Sequence, residues 1–177
     1  MTAKEFLERW DTEICPMVSY DAKKIHALNL PEDVKDFLIE AGLPSDAAPF
    51  LNFESSAKKG ATKLGLFGKK RKYIYFGYTE AGDKICVLEE TGHVLCINHE
   101  DGSEIFINSS ILKLAECLLA YSEFIDEINK VNGRRAFLEG IATEEQLEKI
   151  TSRLNNIDGN ALNDKSFWME ELQHYRK

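Results

Sequence analysis

Apolar residues dominate two short segments near the middle of the chain, and a polar turn separates them. The first segment is Ile85–Leu88 and the second is Val94–Ile97. With Glu90–Gly92 as a three-residue loop, Gly92 supplies the left-handed backbone conformation that such loops need. Both faces of the resulting β-hairpin are apolar. The pattern therefore predicts a hairpin that is covered on two sides.

The length of this loop sets the expected register of the hairpin. Cys86 faces Cys96 and Leu88 faces Val94 on one side of the sheet. The other side then carries Ile85, Val87, Leu95 and Ile97. The opposed cysteines are spaced for a disulfide, which sequence alone does not establish.

A long helix is predicted directly after the hairpin. A second turn at 100–103 leads into a short strand at 105–107, and 108–110 offer side-chain oxygens that can cap the next helix. Apolar residues then recur at spacings of three and four. This broad stripe predicts a helix that packs on the hairpin, and it includes Ile111, Leu114, Ala115, Leu118 and Ile125.

Further elements flank this centre on both sides. The segment LPEDVKDFLIEAGLP predicts a helix with Pro31 at its first position and Gly42 at its end. Strands in the middle and helices at both ends of the chain predict an α+β fold with a mostly antiparallel central sheet. Other predicted helices are 2–10, 143 to about 154 with Thr143 as cap, and a last one around Trp168 capped by Asn163 or Asp164; other predicted strands are 50–53 and 72–78.

Length and cysteine usage limit the classes of protein to which this chain can belong. A chain of 177 residues favours one domain, 1–177. No segment approaches the roughly 18 apolar residues of a membrane helix, and the N-terminus lacks an apolar signal core. Cysteines 15, 86, 96 and 117 are widely spaced in apolar surroundings. We therefore expect a cytoplasmic protein with reduced thiols and no membrane partner.

The net charge of −8 is unevenly distributed. Residues 58–72 contain seven of the 22 basic residues and no acid, so the remainder is strongly acidic. An acidic body repels nucleic acid everywhere except at this basic loop. Only one aromatic residue, Phe67, lies inside the loop, so a solvated excursion is favoured over a nucleic-acid contact.

Three segments resemble a known family. LPEDVKDFLIEAGLPSDAAPFLNF, EETGHVLCINHEDG and FINSSILKLAECLLAYSEFI are similar, over about 30–125, to the SUKH superfamily of bacterial immunity proteins and most of all to its fourth subfamily. The resemblance implies an α+β fold without catalytic residues. It also implies direct binding of a toxin encoded by a neighbouring gene, nucleases and deaminases being known targets. The basic loop 58–72, which interrupts this span, and the helical extension 134–177, which follows it, have no counterpart in the family pattern.

Catalytic and metal chemistry find little support in the sequence. Cys86, His93, Cys96 and His99 form the one cluster that suggests a metal or a reactive thiol. Strand alternation sends both histidines to the face opposite Cys96, and apolar surroundings raise the pKa of a thiol. GLFGKK lacks the spacing of a phosphate-binding loop. We expect no enzyme activity, no metal and no cofactor.

Carboxylates at the hairpin turns are the candidate partner-binding residues. Lys84 is the only base among them, so they offer clustered negative charge to a cationic toxin surface, although solvated turn acids are the alternative. The favoured function is toxin neutralisation by occlusion. The alternatives are a small ligand-binding regulator or hydrolase, and a nucleic-acid adaptor that uses 58–72. The candidate residues are Asp83, Glu89, Glu90, Glu100, Asp101 and Glu104.

Overall fold

The structure is a computed structural model that describes residues 1–55, the backbone of 62–64, and residues 72–176. The described strands are β1 (Met17–Val18), β2 (Leu43–Pro44), β3 (Asp46–Ala47), β4 (Leu51–Phe53), β5 (Thr62–Leu64), β6 (Tyr73–Thr79), β7 (Lys84–Leu88), β8 (Val94–Ile97) and β9 (Glu104–Asn108). The described helices are α1 (Ala3–Arg9), α2 (Ala22–His26), α3 (Glu32–Glu40), α4 (Ile111–Asn132), α5 (Ala136–Glu139), α6 (Glu144–Ile157) and α7 (Phe167–Gln173).

The main sheet lies at the centre of the chain. Its strands follow the order β3-β4-β6-β7-β8-β9, β5 also pairs with β6, and β1 and β2 form a separate two-stranded sheet. All of these pairings are antiparallel. The predicted α+β class with a mostly antiparallel central sheet is confirmed.

The long helix α4 packs on one face of the sheet. Leu114 and Leu118 of α4 are buried in the same apolar cluster as Val87 and Val94 of the hairpin. That cluster also draws side chains from α1, α3, α6 and α7. The opposite face of the sheet buries a smaller cluster, which consists of Tyr73, Tyr75, Cys86, Leu88, Leu95 and Ile97.

The predicted register of the β7–β8 hairpin is wrong by one residue. The amide of Leu88 donates to the carbonyl of His93 at 2.9 Å, so the loop has four residues, 89–92. Cys86 therefore pairs with Leu95, and Ile85 pairs with Cys96. Because side chains alternate along a strand, a one-residue slip moves every side chain of β8 to the other face. Leu95 consequently faces away from α4.

Local signals placed most helix ends correctly. The hydroxyl of Ser110 accepts from the amide of Lys113 at the start of α4, and Gly133 follows its end with φ +114°. Thr143 forms the predicted capping box with Gln146. The predicted cap of the last helix is wrong. Ser166 occupies that position, and its hydroxyl donates to the carbonyl of Ala161 at 2.6 Å.

Among the described residues, no helix combines the length and the apolar character needed to cross a bilayer.

Candidate functional site

Three turns lie together at one end of the main sheet. They are residues 48–50 between β3 and β4, 80–83 between β6 and β7, and 98–103 between β8 and β9. The amide of Glu80 donates to the carbonyl of Phe50 at 3.3 Å, which joins the first turn to the second. The amide of His99 donates to Oδ1 of Asp83 at 3.0 Å, which joins the second to the third. We refer to these residues as the three-turn end.

Asp83 links two of these turns through hydrogen bonds. Its Oδ1 also lies 2.7 Å from Nδ1 of His99, and its amide donates to Oγ1 of Thr79 at 3.2 Å. The side chain is only 15% exposed. Asp83 therefore fixes the position of the 98–103 turn more than it presents charge to solvent.

Local hydrogen bonds also hold the 98–103 turn. Oδ1 of Asn98 accepts from the amides of Glu100 and Asp101 at 2.8 and 3.2 Å, and the amide of Ser103 donates to Oδ1 of Asp101 at 2.7 Å. Glu100 and Asp101 are nevertheless exposed. The sequence places acids here, and the side-chain-to-backbone bonds typical of Asx turns keep the turn in one conformation.

Glu104 lies at the start of β9, beside the same end of the sheet. It pairs with Ile97 and accepts a hydrogen bond from the hydroxyl of Tyr73. The side chain is half-buried. Glu104 thus contributes negative charge next to the turns and also belongs to the polar margin of the smaller apolar cluster.

The six predicted residues do not form one patch. Glu89 and Glu90 follow the C-terminal end of β7, whereas Asp83 precedes its start. Five strand residues separate these ends by about 17 Å. Glu89 is also buried, against the expectation of an exposed turn acid, while Glu90 is exposed. The structure brings Asp83, Glu100, Asp101 and Glu104 together and leaves the other two at the opposite end.

Sequence reasoning missed Phe50 and Glu80 of the three-turn end, and Asp46 of the adjacent strand β3. The sequence predicts a strand from Phe50, but the strand begins at Leu51, and Phe50 takes a positive φ of 59° in the preceding turn. Glu80 is exposed and lies opposite Phe50. Asp46 and Glu80 line a groove of about 370 Å³ together with Phe50 and Phe137. The Ala48-Pro49 dipeptide, a turn signal, was the only local hint.

The thiols are poorly suited to nucleophilic chemistry. All four cysteines are free. Burial raises the pKa of Cys86, Cys96 and Cys117 to about 12 each. The reactive thiolate is therefore scarce at neutral pH. No group of three or more His, Cys, Asp or Glu side chains is placed to hold a metal ion within the described part of the chain.

A second groove lies between α1, α4 and α6. Its volume is about 440 Å³, and Arg9 and Arg153 are among its lining residues. Both guanidinium groups already bind Glu123, that of Arg9 at 2.7 Å. The arginines therefore serve to tie the helices together, which does not favour the small-ligand interpretation. Most of the basic loop 58–72, on which the nucleic-acid interpretation depended, lies outside the described residues.

Comparison with known proteins identifies the family. No curated protein and no solved structure matches the chain. The model of the SUKH-4 immunity protein family matches residues 6–174. This match extends beyond 30–125 on both sides and includes helices α5, α6 and α7. The chain belongs to the SUKH-4 immunity protein family.

Proposed function

We propose that this protein binds a cognate toxin, encoded by a neighbouring gene, and neutralises it by covering its active surface. It acts in the cytoplasm as a single domain and catalyses no reaction. Membership of the SUKH-4 immunity protein family supports this role. The observation that carries the choice of surface is the three-turn end, in which hydrogen bonds join three turns at one end of the main sheet and two of the turns, 80–83 and 98–103, carry acids.

The charge of this end selects the kind of partner. Glu80, Glu100 and Asp101 are exposed, and Asp83 and Glu104 add negative charge beside them. A toxin that acts on nucleic acid, such as a nuclease or deaminase, has a cationic substrate-binding surface because it must neutralise phosphates. Opposite charges steer the two proteins together and favour docking on that surface.

Preorganisation adds to this electrostatic argument. Asn98 and Asp83 hold the turns through hydrogen bonds to backbone amides, so the carboxylates of Glu100 and Asp101 are presented before any partner arrives. Binding then loses less conformational entropy than it would with mobile loops. A preformed acidic surface of this kind suits occlusion.

A charge-reversal experiment tests the proposal. The double variant E80K/E100K changes two exposed carboxylates whose side chains do not hold the turns. The matched control E90K/E148K makes the same change in net charge at exposed positions away from the three-turn end. We expect the first variant to associate more slowly with the purified neighbouring-gene toxin, with a rate that depends less on ionic strength. The control should associate like the parent protein.

Protection of cells from the toxin is the second readout. E80K/E100K should protect less well than E90K/E148K. Equal protection and equal association rates for the two variants would contradict the choice of surface. In that case the neutralising substitutions K69Q, K70Q, R71Q and K72Q identify whether the basic loop recognises the toxin instead.

A further inference from the structure

An aromatic pair forms one wall of the groove beside the three-turn end. The ring of Phe50 packs against that of Phe137 with centroids 5.7 Å apart and planes inclined by 34°. Asp46 and Glu80 line the same groove of about 370 Å³. The groove therefore combines an apolar wall with two carboxylates, all within the described part of the chain.

Phe50 is presented to solvent at an energetic cost. Its side chain is 47% exposed, and its backbone has φ +59°, a conformation that is unfavourable for a residue with a Cβ atom. The Glu80 amide and the Phe137 ring hold it in place. Strained backbone of this kind is retained where the surrounding structure over-determines it, often at binding sites. Covering the exposed ring in a complex would be favourable.

The two carboxylates retain capacity to bind a cation. Asp46 accepts from Sγ of Cys15 at 3.6 Å and from Oγ of Ser45 at 3.0 Å, both neutral donors. Neither Asp46 nor Glu80 takes part in the ion pairs found among the described residues. Arg135, two positions before Phe137, is already paired with Glu139 at 3.3 Å. The groove is thus acidic.

We infer that this groove receives an arginine side chain of the toxin and anchors the complex. The inference rests on the proposed function and adds the chemistry of the partner residue. A guanidinium group is planar, stacks on aromatic faces and donates paired hydrogen bonds to carboxylates, whereas a lysine ammonium offers a compact point charge. Phe50 and Phe137 supply the stacking surface, and Asp46 and Glu80 supply the acceptors. Arginine and aromatic residues are also common as energetic centres of protein interfaces.

A small-molecule titration tests the groove without the toxin. Nα-acetyl-arginine amide, added to the labelled protein, should shift the amide NMR signals of Phe50 and Glu80 and saturate. Nα-acetyl-lysine amide should produce smaller shifts at the same concentrations. The variants F50G and D46N/E80Q should lose the response to the arginine compound. No shift, or equal shifts with both compounds, would overturn the inference.

The choice of glycine at position 50 separates binding from folding. Glycine adopts a positive φ without strain, so F50G removes the ring and relieves the backbone at the same time. Its denaturation midpoint should equal or exceed that of the parent chain. A loss of binding by this variant is then attributable to the missing ring.

Binding to the toxin is the second part of the test. F50G and D46N/E80Q should weaken the complex roughly tenfold or more, mainly through faster dissociation. The matched controls L7A and D126N/E148Q remove an exposed apolar side chain and two exposed carboxylates from helices elsewhere. They should bind like the parent. If the parent protein does not bind the toxin, the proposed function fails. If the parent binds and F50G binds equally well, only the arginine inference fails.

Discussion

The indole N–H of Trp168 donates a hydrogen bond of 3.0 Å to Oδ1 of Asn108, sixty residues earlier in the chain. Neither side chain is exposed to solvent. Nδ2 of Asn108 donates to Oδ2 of Asp158 at 3.1 Å, and the amide and hydroxyl of Ser109 donate to the same carboxylate at 2.7 and 2.8 Å. The segment FINSS, which carries much of the resemblance to the family, is therefore a structural anchor for the C-terminal helices.

Removal of the carboxylate at the centre of this anchor should destabilise the protein. D158A removes the carboxylate that accepts from Asn108 and Ser109, and it leaves the buried amide of Asn108 with only the sulfur of Cys117 as acceptor, at 3.3 Å. We expect this loss to cost about 2–4 kcal/mol of unfolding free energy. D164A, an exposed acid six residues later, is the control and should change stability by less than about 0.5 kcal/mol. Chemical denaturation measures both. A loss below about 1 kcal/mol for D158A would contradict the anchor.

The sequence predicted the helices and strands better than the hydrogen bonds between residues that are distant along the chain. Ser110 caps α4 as its position before an apolar stripe indicates, because capping depends on residues three positions apart. Asn108 and Ser109 have equally suitable oxygens, yet their partners lie about 50 to 60 residues away. No local pattern encodes such a distance. The resemblance marked the segment, and only the fold shows what it does.

Local turn chemistry was insufficient to predict the register of the β7–β8 hairpin. Gly92 has the expected positive φ of 76°, but loops of three and four residues both accommodate such a glycine. Both faces of the hairpin are apolar, so the hydrophobic pattern does not choose between the two registers.

The candidate site was predictable only in part. Turn acids could be recognised from composition, and the separation of Asp83 from Glu89 follows from the strand that lies between them. The proximity of Asp83 to the 98–103 turn follows from the β7–β8 pairing. Phe50 was not predictable as an exposed residue, because an apolar residue before Leu51 and Phe53 resembles the start of a strand.

The observed register makes a prediction about the thiols. Cys86 and Cys96 lie on opposite faces of the sheet, in different apolar clusters, so they should not form a disulfide under mild oxidation of the native protein. A thiol reagent should modify Cys15 first, because it is the least buried of the four. Mass spectrometry after timed labelling measures both outcomes. Rapid modification of Cys86 or Cys96 in the native state would reopen the possibility of thiol chemistry.

The contact between α4 and the sheet makes a prediction about the core. Leu118 is fully buried in the cluster that joins α4 to the hairpin. L118A should cost roughly 2–5 kcal/mol of unfolding free energy through lost burial and a residual cavity. L138A, at a position 59% exposed on α5, is the matched control and should have little effect. Similar denaturation midpoints for the two variants would place Leu118 outside the packed core.

A half-buried carboxyl group, Glu171, and a buried one, Asp158, should affect stability in opposite directions as the pH falls. Burial raises the pKa of Glu171, so the folded state takes up this proton more readily than the unfolded chain and gains stability on acidification. Asp158 behaves in the opposite way. Burial alone would raise its pKa, but the hydrogen bonds from Ser109 and Asn108 outweigh that effect and hold the pKa below its ordinary value of 3.8.

A comparison of the parent chain with D158N isolates the contribution of Asp158, because both chains retain Glu171. A carboxyl group whose pKa is lowered by folding contributes stability above its unfolded pKa of 3.8, and this contribution disappears as the pH falls through the folded pKa. The parent should therefore be more stable than D158N at pH 6, and the difference should shrink as the pH is lowered from about 4 towards 2. Urea denaturation at a series of pH values measures it, with D164N as the control for an exposed acid. If the difference stays constant down to the lowest pH at which both chains fold, the charge on Asp158 does not stabilise the anchor. The lower stability of D158N would then come from the shape of the substituted side chain and not from the lost charge.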